Sequence, residues 1–212
     1  MTLKRLKEIV SDTGKGGCGI LAIADLTDKP SHDIVRQTIR GLSKMEHRGG
    51  SLEDTGDGAR VVIVPPKSGY DYTPHLAGNA VAYGATGGTL FIAGSAGQRF
   101  GVRNSGATLV CEGVGKYTFE YMTGGVGVVI GDCGPCIGSG MTGGELYIYD
   151  PDGTIKPTLH SDVTAASLGS EQEKILKDLL VDFVEETKSP RANDLLQDWQ
   201  KAKSNFLFVE PK

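Results

Sequence analysis

A right-handed parallel β-helix, a β-solenoid with coils of about 19 residues, is the fold class this sequence predicts. The first observation is a repeat. Thr86-Gly87, Ser105-Gly106, Thr123-Gly124 and Thr142-Gly143 follow one another at spacings of 19, 18 and 19. The second is that each pair leads into a β-type run: "TLFIA" (89–93), "TLVCE" (108–112), "VGVVI" (126–130) and "ELYIY" (145–149). Gly94, Gly113, Gly131 and Asp150 close the runs in the same phase. The third is glycine: most of the 31 in the chain lie between Gly78 and Gly144, with no triplet period. Two markers keeping one phase over four units mean a repeat architecture. A coil of this length holds two or three short strands, and stacking coils at about 4.8 Å pairs each strand with its copies.

The core follows from the runs. Leu90, Ile92, Leu109, Val128, Ile130, Leu146 and Ile148 are the expected inward residues. The corners call for φ > 0, which glycine accepts most cheaply. "RVVIVPP" (60–66) reads as one earlier unit, about ten residues out of phase, with "KSGYDYTPHL" as a loop insertion.

The flanks differ from the repeat. Residues 1–17 read as a short amphipathic helix on Leu3, Leu6, Ile9 and Val10, then a glycine stretch. They have neither the apolar run of a membrane span nor that of a signal peptide. "CGILAIAD" reads as a strand, and Ser31 caps a helix carrying Ile34, Val35, Ile39, Leu42 and Met45. Ser170-Glu171-Gln172-Glu173 has the form of a capping box. It opens a helix striped by Ile175, Leu176, Leu179, Leu180, Phe183 and Val184. Ser189-Pro190 starts a second helix with Leu195, Leu196 and Trp199, and "FLFVEP" closes the chain as a strand. The helices are placed to cover one raw end of the solenoid. The division expected is 1–57, 58–165 and 166–212.

Composition excludes several classes. A net charge of -4 over 212 residues gives no basic field for nucleic acid or an anionic membrane. Four unevenly spaced cysteines are no secreted disulfide framework, so the expected compartment is the cytoplasm. Gly138-Ser139-Gly140-Met141-Thr142-Gly143 fits G-x-G-x-x-G, but "GELYIYD" after it is a strand where dinucleotide binding needs a helix. Cys133-Gly134-Pro135-Cys136 is a lone CxxC, two short of a structural zinc site, and reads as two reduced cysteines at a corner. His32, His47, His75 and His160 have no zinc spacing and read as surface or loop residues. No cofactor or metal is expected on this chain.

The stretch from "GNAVAYGATGG" to "GMTGGELYIYD" resembles the C-terminal GXGXG domain of the glutamate synthase large subunit. It carries that family's YGAT, AG-x-RF-x-VRNSG, EG-x-G, EYMTGG and GM-[ST]-GG phrases, and "SPRANDLLQDWQKAKSNFLFVEP" resembles its C-terminal helices. "CGILAIAD", "KPSHDIV", "MEHRGG" and "TGDGA" resemble the opening of the same family's N-terminal-nucleophile amidotransferase domain. The resemblance implies that Cys18, made N-terminal by processing, is the catalytic nucleophile, with its own amine as base. It implies that Arg48 grips the glutamine carboxylate. The Asn-Gly oxyanion donors, the acid that holds the substrate amine, the flavin barrel and the iron–sulfur cysteines have no counterpart here. The implied role is therefore a scaffold for glutamate synthesis from glutamine and 2-oxoglutarate. Its partners would be amidotransferase and flavin-barrel domains or subunits, held in register beside the ammonia path. The alternatives are a glutamine amidohydrolase using Cys18, a GXGXG subunit of another oxidoreductase such as formylmethanofuran dehydrogenase, and a deletion remnant without activity.

Overall fold

The computed structural model describes residues 60–65 and 73–212, and the backbone of two short strands before them, β1 (Ser51–Leu52) and β2 (Thr55–Gly56). The expected N-terminal helix, the "CGILAIAD" strand, the Ser31-capped helix, His32, His47 and most of the "KSGYDYTPHL" insertion lie outside the described residues.

The described chain is a β-solenoid of about four turns with helices on one flank. Its strands β3 (Arg60–Ile63), β5 (Thr89–Ala96), β6 (Ser105–Gly113), β7 (Thr123–Val129) and β8 (Gly143–Tyr149) stack in parallel in that order. β4 (His75–Ala77) pairs with the far half of β5. The register reproduces the repeat: Thr89, Thr108, Val126 and Glu145 lie over one another, and Arg60 sits over Thr89 as the out-of-phase unit. His75, expected in a loop, opens β4 instead and stays exposed.

Side chains alternate across this sheet. Ile92, Leu109, Cys111, Val129, Leu146 and Ile148 point into the solenoid. Phe91, Val110, Val128, Ile130 and Tyr147 point out of it, into a second core shared with the helices. Val128 and Ile130 are thus corrections to the expected inward set. Gly127 takes the inward slot that Leu109 and Leu146 hold in the neighbouring coils, which puts Val128 in the outward slot of Val110 and Tyr147. A side chain there would overlap the Phe119 ring and Leu146, so the ring fills the space that Leu90, Leu109 and Leu146 fill in other coils.

The glycine after each Thr or Ser serves close approach. A Cβ added to Gly106, Gly124 or Gly143 would stand closer than 3.0 Å to a backbone carbonyl of the coil below: Thr86, Ser105 or Thr123. The corner beside it is closed by Asn104, which is fully buried. Its Oδ1 accepts from Ala107 N at 2.9 Å and its Nδ2 donates to Ala107 O at 2.9 Å.

Opposite the sheet, each coil crosses in an unusual conformation. Positive φ recurs at every second residue: Ala80, Ala82, Gly84; Arg99, Gly101, Arg103; Tyr117, Phe119, Tyr121; Cys136, Gly138, Gly140. The expectation that glycine occupies such positions is overturned at eight of these twelve. Each non-glycine residue there costs roughly 1–2 kcal/mol. The compensation is a two-way backbone ladder. Arg99 N donates to Lys116 O, Arg103 N to Glu120 O and Tyr121 N to Ser139 O in the next coil. Gly101 N donates to Val81 O and Phe119 N to Phe100 O in the coil before. In the last coil Gly140 N finds no further coil, and Asp162 Oδ2 accepts it at 2.8 Å.

The C-terminal elements correct another expectation. The helices α1 (Ser170–Thr187), α2 (Pro190–Gln197) and α3 (Trp199–Lys203) lie along the outer flank of the sheet, where Leu176, Leu180, Phe183, Leu195 and Trp199 meet Phe91, Val110 and Tyr147. It is β10 (Phe206–Pro211) that covers the end, pairing antiparallel with β8, and β9 (Val163–Ser167) pairs with β10 in turn. A strand satisfies a raw β edge directly, while a helix only shields it. The α1 capping box does not form. Gly169 is the N-cap, and the Glu173 carboxylate instead accepts from Trp199 Nε1 at 3.0 Å and Lys203 Nζ at 2.9 Å. Ser189 does cap α2, accepting from Ala192 N at 3.1 Å, with Pro190 behind it. Among the described residues no helix is long and apolar enough to cross a membrane.

Candidate functional sites

Cys18 and Arg48 lie outside the described residues, so the structure brings nothing to either. The other chemistry-bearing features fall on the solenoid.

Cys133 and Cys136 are free thiols. Cys133 bridges to Val114 in the coil below and packs on the interior core. Burial, first, and the negative charges around it push its thiol well above the ordinary range. Cys111, fully buried inside the solenoid, is pushed up by burial to about 12. Its single S–H is shared between Gly94 O at 3.2 Å and Gly113 O at 3.0 Å. Thiols held protonated are poor nucleophiles and poor metal ligands. Cys136 has φ 64°, and its N donates to Thr158 O in the ladder. Among the described residues no three His, Cys, Asp or Glu side chains gather as a metal site.

The G-x-G-x-x-G run has a similar explanation. Gly138 and Gly140 sit at the positive-φ positions of the last ladder, and Gly143 at the start of β8. A strand follows it, so no helix N-terminus faces the loop.

A cleft of about 410 Å³ opens beside the fourth coil, lined among others by Asp132, Cys133, Tyr149, Asp150 and Arg191. Two of its charged groups, Asp150 and Arg191, are engaged. The Asp150 carboxylate accepts from Ile155 N at 3.0 Å and Lys156 N at 2.9 Å, which fixes the turn after β8. Arg191 donates to Thr73 Oγ1 at 3.0 Å and draws on the Glu112 carboxylate. Glu112 is buried on the sheet's outer face and accepts from Ser189 Oγ. Burial raises its pKa, against the pull of Ser189 and then Arg191. This group ties the start of α2 to the third coil.

The feature that sequence reasoning missed is the outward face of the ladder. Tyr83 is 57% exposed and Tyr121 53%, two of the four large exposed hydrophobic residues among those described. Arg99, Arg103 and Lys116 are exposed beside them. Tyr117 takes Arg99 and Lys116 on its ring at 5.7 and 5.4 Å. The Tyr121 ring lies against Gly140, where any side chain would collide with it. The sequence carried this only in the first and last coils, as small residues two apart (Ala80, Ala82 and Gly84; Gly138 and Gly140) in a phase separate from the strands.

Residues 49–212 match the GXGXG motif family. The chain belongs to the GXGXG family. This GXGXG chain is 41% identical over 159 residues to a ferredoxin-dependent glutamate synthase of Antithamnion sp., a match covering 73% of the chain and 10% of that protein. It is 41% identical over 162 residues to ferredoxin-dependent glutamate synthase 2 of Synechocystis sp., again covering 73% of the chain and 10% of the relative. It is 39% identical over 204 residues to the glutamate synthase [NADPH] large chain of Azospirillum brasilense, covering 87% of the chain and 13% of that protein. The GXGXG chain thus spans about a tenth of the length of the curated relatives it matches.

Proposed function

We propose that this chain is the structural, non-catalytic part of a glutamate synthase. In this reading partner subunits form glutamate from glutamine and 2-oxoglutarate, and the solenoid holds an amidotransferase and a flavin-barrel subunit in register. One observation carries the proposal: the solenoid and its helices match the GXGXG family over residues 49–212, and the relatives at about 41% identity are glutamate synthases. The physical support is rigidity. Coils whose backbone groups are bonded both up and down have little freedom to shear. That suits a spacer which must keep two active sites at a fixed separation.

The test is reconstitution from separately purified chains. Glutamine-dependent glutamate formation is expected only when this chain is added to the amidotransferase and flavin subunits. Equal activity in its absence contradicts the proposal. The same material settles Cys18. A scaffold keeps residues 1–17, and Cys18→Ser leaves ammonia release by this chain unchanged. A mature chain that begins at Cys18 and releases ammonia only with the thiol intact makes it an amidohydrolase instead.

A further inference from the structure

We propose that the outward face of the positive-φ ladder, carrying Tyr83, Arg99, Arg103, Lys116, Tyr117 and Tyr121, docks an acidic patch of a partner protein. The inference rests on the structural-subunit reading above and names the surface that reading requires.

Three observations carry it. The first is conformational. The outward column of the ladder begins and ends on glycine, Gly84 in open space and Gly140 beneath the Tyr121 ring. Between them in the same column, Arg103 and Tyr121 hold φ of 56°, and Arg99 and Tyr117 hold 60° and 62° one column over. Glycine adopts this backbone without penalty. Inward-facing Phe119 recovers its cost by burial in the interior core. Arg103 points to solvent, and Tyr121 keeps 53% of its surface exposed with one side of its ring on Gly140. A residue that holds a strained backbone and leaves much of its side chain in solvent is placed for an external contact.

The second is chemical. Tyrosine and arginine are enriched among the residues that dominate interface energetics: tyrosine brings a large amphipathic ring on two torsions, arginine a planar charged fork. Here they stand on a backbone fixed by hydrogen bonds on both sides, so little backbone ordering remains to be done on binding.

The third is charge. The chain carries a net charge of -4. On coils two and three of this face three cations stand against one half-buried carboxylate, Glu120. Among the described residues no carboxylate pairs with Arg99, Arg103 or Lys116. Three cations on a flat plate complement a compact acidic surface. They do not form the long basic track that a nucleic-acid backbone needs. The opposite flank of the solenoid is already occupied by the chain's own α1 to α3.

The experiment uses the full chain and the purified amidotransferase and flavin subunits, with binding followed by calorimetry at 50 and 300 mM NaCl. The wild type should bind at least one subunit, more weakly at the higher salt. R99E/R103E should bind at least tenfold more weakly. Arg103→Gly guards against misfolding: it removes the side chain and relieves the backbone, so binding falls while Tm holds or rises. Lys174→Glu, exposed on α1, should change neither. Wild-type binding that these ladder variants leave within threefold overturns the surface and spares the subunit reading. A wild type that binds neither subunit overturns both. Tighter binding to a single-stranded 20-mer DNA than to either subunit also overturns the proposal.

Discussion

The two faces of each coil meet the same stacking requirement in opposite ways. On the sheet face the backbone is extended, the register is regular, and side chains alternate between the interior and a second core under α1 to α3. On the ladder face the backbone alternates through positive φ, and no described helix covers it. The sheet face gains its stability from apolar burial. The ladder face gains its order from hydrogen bonds to the coils above and below, with strain left in the residues it displays. The sheet face is closed by the chain itself, and the ladder face presents itself outward.

This contrast can be broken at several strengths. The largest effect should come from Phe183→Ala. Phe183 is fully buried and packs edge-on to Phe91 at 5.4 Å between ring centres. Its loss should cost about 3–5 kcal/mol in urea unfolding, as for other buried phenylalanines. A cost near zero would mean the helices are not part of the folded unit.

Next is Gly124→Ala. The added methyl would stand 2.5 Å from Ser105 O, a backbone atom with no room to yield. A loss of about 1–3 kcal/mol is expected, the usual range for overpacking. Gly87→Ala, the same repeat position where nothing lies within 4 Å, is the control and should change stability by a few tenths at most.

Arg103→Gly should move the other way, with a gain of up to about 1 kcal/mol because φ of 56° suits glycine. Greater flexibility of glycine in the unfolded chain offsets part of that gain.

The smallest effects are in pH. Glu112 has its folded pKa raised above 4.5, chiefly by burial. The folded state then holds the proton more tightly than the unfolded one. This contribution is fully present below 4.5 and is lost as pH rises through the raised value. Glu173 is shifted the other way by Lys203 and Trp199, so its contribution is present above 4.5 and is lost as pH falls below it. Urea midpoints across this range should show Glu112→Gln removing the loss on the alkaline side and leaving the acidic one. Fluorescence of the single tryptophan, Trp199, should report the Glu173 step.

Much of this was legible in the residues because the repeat is a property of backbone approach. The Thr/Ser-Gly pairs mark where one coil crosses another, and they gave the stack, its phase and the out-of-step unit at Arg60. Facing was less legible. Val128 and Ile130 look inward in isolation, but the inward slot of their coil falls on Gly127, whose missing side chain is replaced by the Phe119 ring from one corner upstream. The α1 cap was misread because Glu173 had a better partner in Lys203, thirty residues on. The ladder was the least legible. Nothing local in "RFGVR" or "YTFEY" demands positive φ at arginine and tyrosine, since the cost is offset by neighbouring coils. The residues the family resemblance singled out, Cys18 and Arg48, fall outside the described part of the chain.

The most direct test is hydroxyl-radical footprinting of this chain alone and in complex with the two subunits. Tyr83 and Tyr121 should lose most of their oxidation on assembly, while Val181, exposed on α1, should keep its own. Protection of Val181 with no change at Tyr83 and Tyr121 would place the partners on the helical flank and contradict the division of labour between the two faces.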